Sequence, residues 1–426
     1  MESTVSLTVT LQAEHADLAS LERAVAGALA EVGTRLWAHL VEQLEAALPV
    51  PARCARCGGV PKANGRARRR LVTLAGEVEL RRRRYRCRGC GAETFPLDEA
   101  LGLEARTQHS LGVRERALWL VTELSYARTT QTLEELRALP VSHGELHRWV
   151  AVEGARIEAV LTAETEAIFG ARPARGPTGP ARGDVWVSAD GTMVRGRAGA
   201  QFEAKVGLVF RGREQTGRHR SALRDRTYIA ETATWTTFAE RLTATCARLG
   251  VYDAARIFFV SDGAPVLHWI RARSFPTAIE LLDWYHLTEQ LQAGIGAAYP
   301  EVLTTALGAA AGGDLDALLA ILRAHARHLE RADPEQAARA RALIVYVTHN
   351  GQGIANYRIV PLASSGPMEK GVDLTICRRF KLRGMSWYRR GVSALLRLRL
   401  LRLNGTWARY WAERFSAALR PWPTAA

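Results

Sequence analysis

The chain has 426 residues, a formal net charge of +15 and an isoelectric point near 10.1. A hydrophobic content of 47% excludes a disordered chain, and a working size of roughly 100–200 residues per domain implies two to four domains. The positive excess favours a polyanionic partner, since each neutralised phosphate releases condensed counterions. No run reaches the roughly 18 apolar residues of a membrane helix, so no membrane partner is expected.

Met1–Val9 alternates Ser/Thr with Val/Leu and lacks the basic start and apolar core of a signal peptide. A cytoplasmic, nucleoid-associated protein is expected, in which cysteines stay reduced and bind metal where they cluster. Residues 1–50 read as an N-terminal helical segment. Leu18, Leu21, Val25 and Leu29 recur at helical spacing up to Pro49-Val50-Pro51, and this stripe is expected to be ordinary core, the alternative being an oligomerisation or end-binding arm. Residues 51–100 hold two predicted strands, Arg70–Leu74 and Val78–Tyr85, joined by Ala75-Gly76-Glu77. Residues 105–170 return to helical patterning. Gly112–Glu123 comes first, then Leu133–Leu139 behind a Thr129–Thr132 cap, then Glu145–Ile157 with Ser142 as N-cap. This is the pattern of a helix-turn-helix or of a plain three-helix connector. Residues 171–183, dense in Pro, Gly and Arg, read as a linker.

After the linker, residues 184–426 change texture. Val185–Val194, Phe202–Phe210 and Tyr228–Thr232 read as three successive strands. The helix Trp235–Leu249, the strand Ile257–Ser261, a further helix and the strand Ala278–Asp283 follow. Three hairpin-connected strands followed by alternating helix and strand is an RNase H-like order. The Ala/Leu/Arg-rich stretch at about 286–350 would be an all-helical insertion. The expected fold class is therefore multidomain α+β: N-terminal helices, zinc ribbon, helix-turn-helix, and an RNase H-like α/β domain carrying that insertion.

Cys54-Ala-Arg-Cys57 and Cys87-Arg-Gly-Cys90 are two tight knuckles separated by a hairpin-length segment. Together they supply the four soft ligands of a structural zinc ion, against the rival reading of two redox or disulfide motifs. Arg68, Arg69, Arg70, Arg81, Arg82, Arg83 and Arg84 crowd the segment between them and are candidate phosphate contacts, although a charge run is commonly a solvated face. His147, Arg148 and Trp149 near the start of the third helix are candidate groove contacts. Cys246 and Cys377 stand apart and read as buried apolar fillers.

Three acidic residues punctuate the last segment. Asp190 lies in Val-Trp-Val-Ser-Ala-Asp-Gly, Asp262 in Phe-Phe-Val-Ser-Asp-Gly-Ala, and Glu369 in the first turn of a helix opened by Pro367. Asp-Gly after a strand is often only a turn. In this strand order, however, carboxylates from separate elements suit two Mg²⁺ or Mn²⁺ ions about 3.5–4 Å apart. Asp283, in Asp-Trp-Tyr-His286, also ends an apolar strand and is an alternative second ligand, with His286 as an accessory group. Arg378, Arg379, Lys381 and Arg383 follow Glu369 on one predicted helix and would hold DNA across the acidic groups. Trp387 would stack on a base or pack in the core. Arg389, Arg390, Arg397, Arg399 and Arg402 extend the basic character among the leucines of a buried helix.

The cysteine ribbon resembles that of bacterial insertion-sequence DDE transposases, particularly the ISKra-type group. So do Ser188-Ala189-Asp190-Gly191, Val260-Ser261-Asp262-Gly263, Asp283-Trp284-Tyr285-His286, Gly366-Pro367-Met368-Glu369 and Arg383-Gly384-Met385-Ser386-Trp387. The resemblance covers most of the chain. It implies Asp190, Asp262 and Glu369 as a Mg²⁺-binding triad, double-stranded DNA as the partner (element ends and target), and a homo-oligomer that pairs two ends. A serine commonly follows the glutamate in that group, whereas Lys370 stands here. The implied activity is binding of terminal inverted repeats with metal-dependent strand cleavage and transfer. The rivals are a silent DNA-binding derivative, a structure-specific nuclease, and a zinc-ribbon scaffold of a larger basic complex.

Overall fold

The arginine-rich stretch between the cysteine pairs alternates side chains across a pleat, and it folds as a long antiparallel hairpin. In the computed structural model, which describes residues 4–104, 107–137, 139–170, 182–218, 220–360 and 366–419, the chain forms two compact units. One comprises Met1–Trp149 with Thr406–Ala426, the other Val150–Gly405.

The first unit opens with α1 (Leu18–Ala47), capped by the Asp17 carboxylate, which accepts from Ser20 N at 3.0 Å. Then come β1 (Pro61–Thr73), β2 (Gly76–Cys87) and the short β3 (Glu93–Thr94), in sheet order β1-β2-β3. Both long strands extend beyond their predicted limits, and the turn is Leu74-Ala75. Helix α2 (Pro96–Ala100) lends Leu97 to a core built with Val41 and Leu44 of α1 and Leu71, Val78 and Leu80 of the hairpin. The expectation that the whole α1 stripe is core fails. Leu18 and Leu29 are 72% and 66% exposed, and only the last turns of α1 reach the sheet.

Helices α3 (Leu111–Val121), α4 (Tyr126–Arg137) and α5 (His143–Gly170) follow. Helix α4 starts seven residues before its predicted first residue. The Ser125 hydroxyl accepts from Arg128 N at 3.2 Å and takes the capping role assigned to Thr129–Thr132, and Thr129 itself is buried. Ser142 does cap α5, through a reciprocal box with Glu145: Glu145 N donates to the serine oxygen and Ser142 N to the carboxylate, both at 3.2 Å. Trp149 is buried beside His109 and therefore is not a groove contact.

The second unit is built on β4 (Arg182–Arg195), β5 (Gln201–Phe210), a separate two-stranded ribbon of β6 (Arg213–Gly217) and β7 (Arg220–Leu223), β8 (Thr227–Glu231), β9 (Ala254–Ser261) and β10 (Ile279–Leu282). The main sheet runs β10-β9-β4-β5-β8. β5 is antiparallel to both β4 and β8, while β4, β9 and β10 are mutually parallel. Of the expected linker, residues 171–181 lie outside the described residues, and β4 begins at Arg182.

Strand alternation separates two cores. Ile257 and Phe259 face α6 (Trp235–Arg248) and α7 (Pro265–Ser274), whereas Phe258 and Val260 face α8 (Trp284–Ile295), α9 (Pro300–Ala311), α10 (Leu315–Ala332) and α11 (Pro334–His349). The short α12 (Gly351–Ala355) precedes α13 (Gly366–Val372), which continues through a π-helical turn, Asp373–Cys377, into α14 (Arg378–Phe380). Helix α15 (Arg389–Leu403) is largely buried, and α16 (Trp407–Ala418) belongs to the first unit, where Trp407 meets Trp119 edge-on. No helix among the described residues is long and apolar enough to cross a membrane.

Helices α5 and α15 cross at Gly154, where a Cβ would sit 2.7 Å from Ala394 Cα. A closed ring of charges lies near that crossing. Arg397 pairs with Glu158 at 2.7 Å and with Glu231, while Arg241 pairs with Glu231 at 2.8 Å and with Glu158. Arg397 and Arg399 are therefore interior groups and not part of a basic surface. Arg399 donates to the Leu374 carbonyl at 2.9 Å. Arg397→Met removes a cation beside Glu231, whose side chain is 3% exposed. It is expected to cost on the order of 3 kcal/mol, read as a lower urea midpoint. A midpoint equal to wild type would mean the ring contributes nothing to stability.

Candidate functional site

The two cysteine knuckles are built alike. Gly58 N donates to Cys54 O and Gly91 N to Cys87 O, each at 2.9 Å. The pairing of Pro61 with Cys87 brings the two ends of the hairpin together. All four sulfur atoms then lie within 4.8 Å of one another, with Cys54–Cys90 at 3.7 Å and Cys57–Cys87 at 3.4 Å. Four sulfurs each about 2.3 Å from zinc would be about 3.8 Å apart, so these residues fit a tetrahedral ion. The backbone N–H of Cys90, together with the Cys57 side chain, draws the Cys87 thiol down to about 7, while against the Gly59 N–H the Cys90 and Cys87 side chains push the Cys57 thiol up. Cys246 is fully buried, as expected, whereas Cys377 is only half-buried.

The arginines of this hairpin divide by partner: those that find an acid on a helix turn inward, and others stay exposed. Arg68, Arg70 and Arg81 are exposed, with only loose partners in Glu77 and Glu79 at 3.5–3.6 Å. Arg69 and Arg82 turn inward onto Asp98, and Arg83 onto Glu45 at 3.2 Å. Those three are internal braces, which corrects their reading as phosphate contacts. Arg84 donates to the Asn64 carbonyl at 2.9 Å. His147 and Arg148 are exposed on the first turns of α5.

In the second unit the register aligns the acidic residues. Ser188 pairs with Val260, so Asp190 and Asp262, each two residues on, reach the same level of neighbouring strands. Leu282 pairs with Ser261, which sets Asp283 beside Asp262. Burial pushes the Asp190 carboxyl above the usual aspartate range, against the Gly191 N–H that holds the anion at 2.6 Å, and the Asp262 charge adds to the rise. Asp262 accepts from Ala264 N at 2.9 Å. Neither Asp190 nor Asp262 makes an ion pair with a lysine or arginine among the described residues.

Asp283 is differently engaged. It is 1% exposed, caps α8 through Tyr285 N and His286 N, and pairs with His286 Nδ1. That hydrogen bond lifts His286 to about 9, so the imidazolium persists at neutral pH. A capping carboxylate already paired with a cation has little left for a metal, and Asp262 is the better-placed second acid.

Glu369 is exposed on α13, which packs against β4 and β5. Beyond α14, Lys381 Nζ donates to Thr192 Oγ1 at 2.6 Å, two residues from Asp190. Among the described residues, the four cysteines are the one group of three or more ligand side chains within metal-binding reach of one another. Glu369 is thus not gathered with Asp190 and Asp262 at that distance. Arg378 and Lys370 pair with Asp373 at 2.9 and 3.0 Å. Arg379 is fully buried, with its guanidinium 5.0 Å from the Trp387 ring centre, so it is a core brace and no DNA contact. Trp387 donates to the Phe380 carbonyl at 3.0 Å and packs inward, whereas Arg383 is exposed.

The sequence pattern of an uncharacterised protein family, UPF0236, matches residues 11–414. The chain belongs to that family. A relative from Streptococcus gallolyticus, described as a UPF0236 protein in the vanSb 3′ region, is 28% identical over 152 residues, which is 35% of this chain. The match spans 31% of that relative's length.

Two residues of this UPF0236 chain that sequence reasoning missed hold the acidic strand ends. Tyr346 donates to the Asp262 carbonyl at 3.0 Å, and the Tyr357 hydroxyl donates to the Leu282 carbonyl, next to Asp283. Burial, with the charges of Asp262 and Asp283, keeps Tyr346 protonated and able to donate. Gly263 follows Asp262 at φ +85 with the Asn350 side chain against it, which leaves no room for a Cβ. A phenol inside a helical stretch carries no signal of such a contact. If Asp262 is catalytic, Tyr346→Phe is expected to slow turnover roughly tenfold, the worth of one hydrogen bond, with KM for DNA unchanged. Unchanged turnover would make Tyr346 a packing residue only.

Proposed function

We propose that this protein is a DNA transposase. The zinc-held hairpin and the α3–α5 helices, read as a helix-turn-helix, bind the terminal repeats of an insertion sequence. The second unit, read as RNase H-like, cuts and joins DNA. The observation that carries the reading is the placing of Asp190 and Asp262 at one level of parallel neighbours β4 and β9, in the strand order β10-β9-β4-β5-β8, with no lysine or arginine ion-paired to either among the described residues and only the His286 cation acting on them from beside Asp283. Two crowded carboxylates with no lysine or arginine between them suit a divalent cation.

Asp190, Asp262 and Glu369 would hold Mg²⁺ or Mn²⁺, which would supply charge neutralisation for attacking and leaving oxygens. The Gly191 and Ala264 N–H groups orient the two aspartates. His286 keeps Asp283 paired with a cation so that it does not add free negative charge beside them. In the first reaction water attacks a phosphodiester at the element end, and the bond to the 3′-oxygen breaks to free a 3′-hydroxyl. In the second, that hydroxyl attacks a target phosphorus and gives up its proton, and the target's own 3′-oxygen leaves and takes up a proton from solvent to become a hydroxyl.

One observation favours a rival, a DNA-binding protein with a silent nuclease: Glu369 is not gathered with the two aspartates. Incubation of the full chain with DNA carrying the element's ends, with Mg²⁺ or Mn²⁺, separates the two. Cleavage and joining are expected; binding without cleavage under either metal would leave the silent reading.

A further inference from the structure

Between β5 and β8 the chain leaves the main sheet as the β6–β7 ribbon. Arg213 pairs with Leu223, Glu214 with Ala222 and Gln215 with Ser221, and an irregularity precedes the pair Gly217 and Arg220. Neither face has an apolar layer, and every residue of β6 is exposed. Isolated two-stranded ribbons are marginal in water, so this one is not there to build a core. Its base is anchored: Arg211 donates to the Leu249 carbonyl at 2.9 Å, and Arg224 donates to the Arg211 carbonyl at 3.1 Å.

The charge is concentrated on the ribbon and its base. Arg211, Arg213, Arg218, Arg220, Arg224 and Arg226 stand against Glu214 and Asp225, a formal excess of four positive charges in residues 211–226. The whole chain carries +15, so more than a quarter of its excess sits on this one small element. Arg213 and Arg218 make no ion pair among the described residues, unlike the inward-turned Arg69, Arg82 and Arg83 of the zinc hairpin.

We propose that this ribbon is a second contact for duplex DNA, separate from the acidic site. This rests on the DNA-transposase reading and extends it. A two-stranded ribbon fits the roughly 12 Å major groove of B-form DNA, whereas the deep, narrow major groove of A-form RNA does not admit side chains. Arginines without acidic partners match the phosphates lining that groove. The ribbon also emerges at a definite place. β5 ends at Phe210, opposite Trp186, and Asp190 lies four residues further along β4, roughly 13 Å away. The ribbon therefore grips DNA away from the strand being cut, and it contributes to affinity without contributing to the chemistry.

The test uses the full chain and a labelled random-sequence DNA duplex, with binding measured from about 50 to 200 mM KCl. Wild type is compared with the double variant Arg213→Gln/Arg218→Gln and with Arg213→Lys/Arg218→Lys. Each phosphate contact contributes about 0.9 to the slope of log affinity against log salt. The glutamine variant is expected to bind several-fold more weakly with a slope shallower by about 2, the lysine variant to keep the wild-type slope, and both to melt like wild type. A wild-type slope in the glutamine variant would overturn the ribbon contact while leaving the transposase reading intact. A wild-type chain that fails to bind the duplex at all would overturn both.

Discussion

Asp190→Ala is expected to abolish metal-dependent cleavage of end DNA, by about three orders of magnitude or more, while DNA binding and the melting temperature stay near wild type. Groups that act together in a catalytic site lose most of the activity when any one of them is removed. Asp190 makes no lysine or arginine ion pair among the described residues that the fold would lose. Its carboxyl is held above the usual range by burial and by Asp262, so alanine there removes a repulsion and leaves the fold intact. Glu369→Ala is expected to give the same loss of joining, although Glu369 is exposed and sits on a different element. The two adjacent aspartates are expected to part company. Asp262→Asn should lose cleavage at an unchanged melting temperature. Asp283→Asn should instead lower the melting temperature, since Asp283 caps α8 and pairs with His286. Cleavage retained by Asp190→Ala would remove the catalytic assignment altogether; cleavage lost only in Asp283→Asn would move the second ligand to that position.

Why the sheet was readable and its surroundings were not follows from the kinds of signal involved. Strands such as Val185–Val194 and Ile257–Ser261 announce themselves as apolar or alternating runs, with Asp-Gly inside the first and closing the second, and the observed β4 and β9 contain them. The level at which Asp190 and Asp262 meet follows from that register. The β6–β7 ribbon gives no such signal, because Arg213–Leu223 holds no apolar alternation.

Basic residues were the least legible. Counting arginines cannot separate Arg68 from Arg69, yet one is exposed and the other is spent on Asp98. In β1 the period of two separates them, but in β2 Arg81 and Arg83 share a face, and the acids Asp98 on α2 and Glu45 on α1 decide which arginines turn inward. Arg379, Arg397 and Arg399 went the same way on helices, where they serve backbone carbonyls, acids and an aromatic ring in the interior. Helix α1 shows the converse error: helical spacing of leucines establishes an apolar face, but not that anything covers it.

The four-cysteine site makes the other large prediction. The first unit has little else to hold its sheet: the apolar cluster beneath the hairpin rests on Val41, Leu44, Leu71, Val78, Leu80 and Leu97, and the strand ends carrying the cysteines lie beyond it. Structural zinc sites of this kind contribute about 10–16 kcal/mol of apparent binding free energy at neutral pH, more than a small domain's whole stability of about 5–15 kcal/mol. Protein purified without chelator is therefore expected to carry one zinc per chain. Removing it with a strong chelator, or making Cys57→Ser with Cys90→Ser, should unfold the hairpin and abolish end binding. The second unit has its own sheet and two cores, so a separate melting transition should survive the treatment. Metal analysis and calorimetry read both halves of the expectation. A chain that holds no zinc, or one whose first transition is unmoved by its removal, would show that hydrogen bonds and the inward arginines of the hairpin suffice. The sulfur cluster would then be a reduced thiol group with no structural task. The spacing argues otherwise: four thiols that needed no ion would not be drawn to within 4.8 Å of one another at the end of two strands.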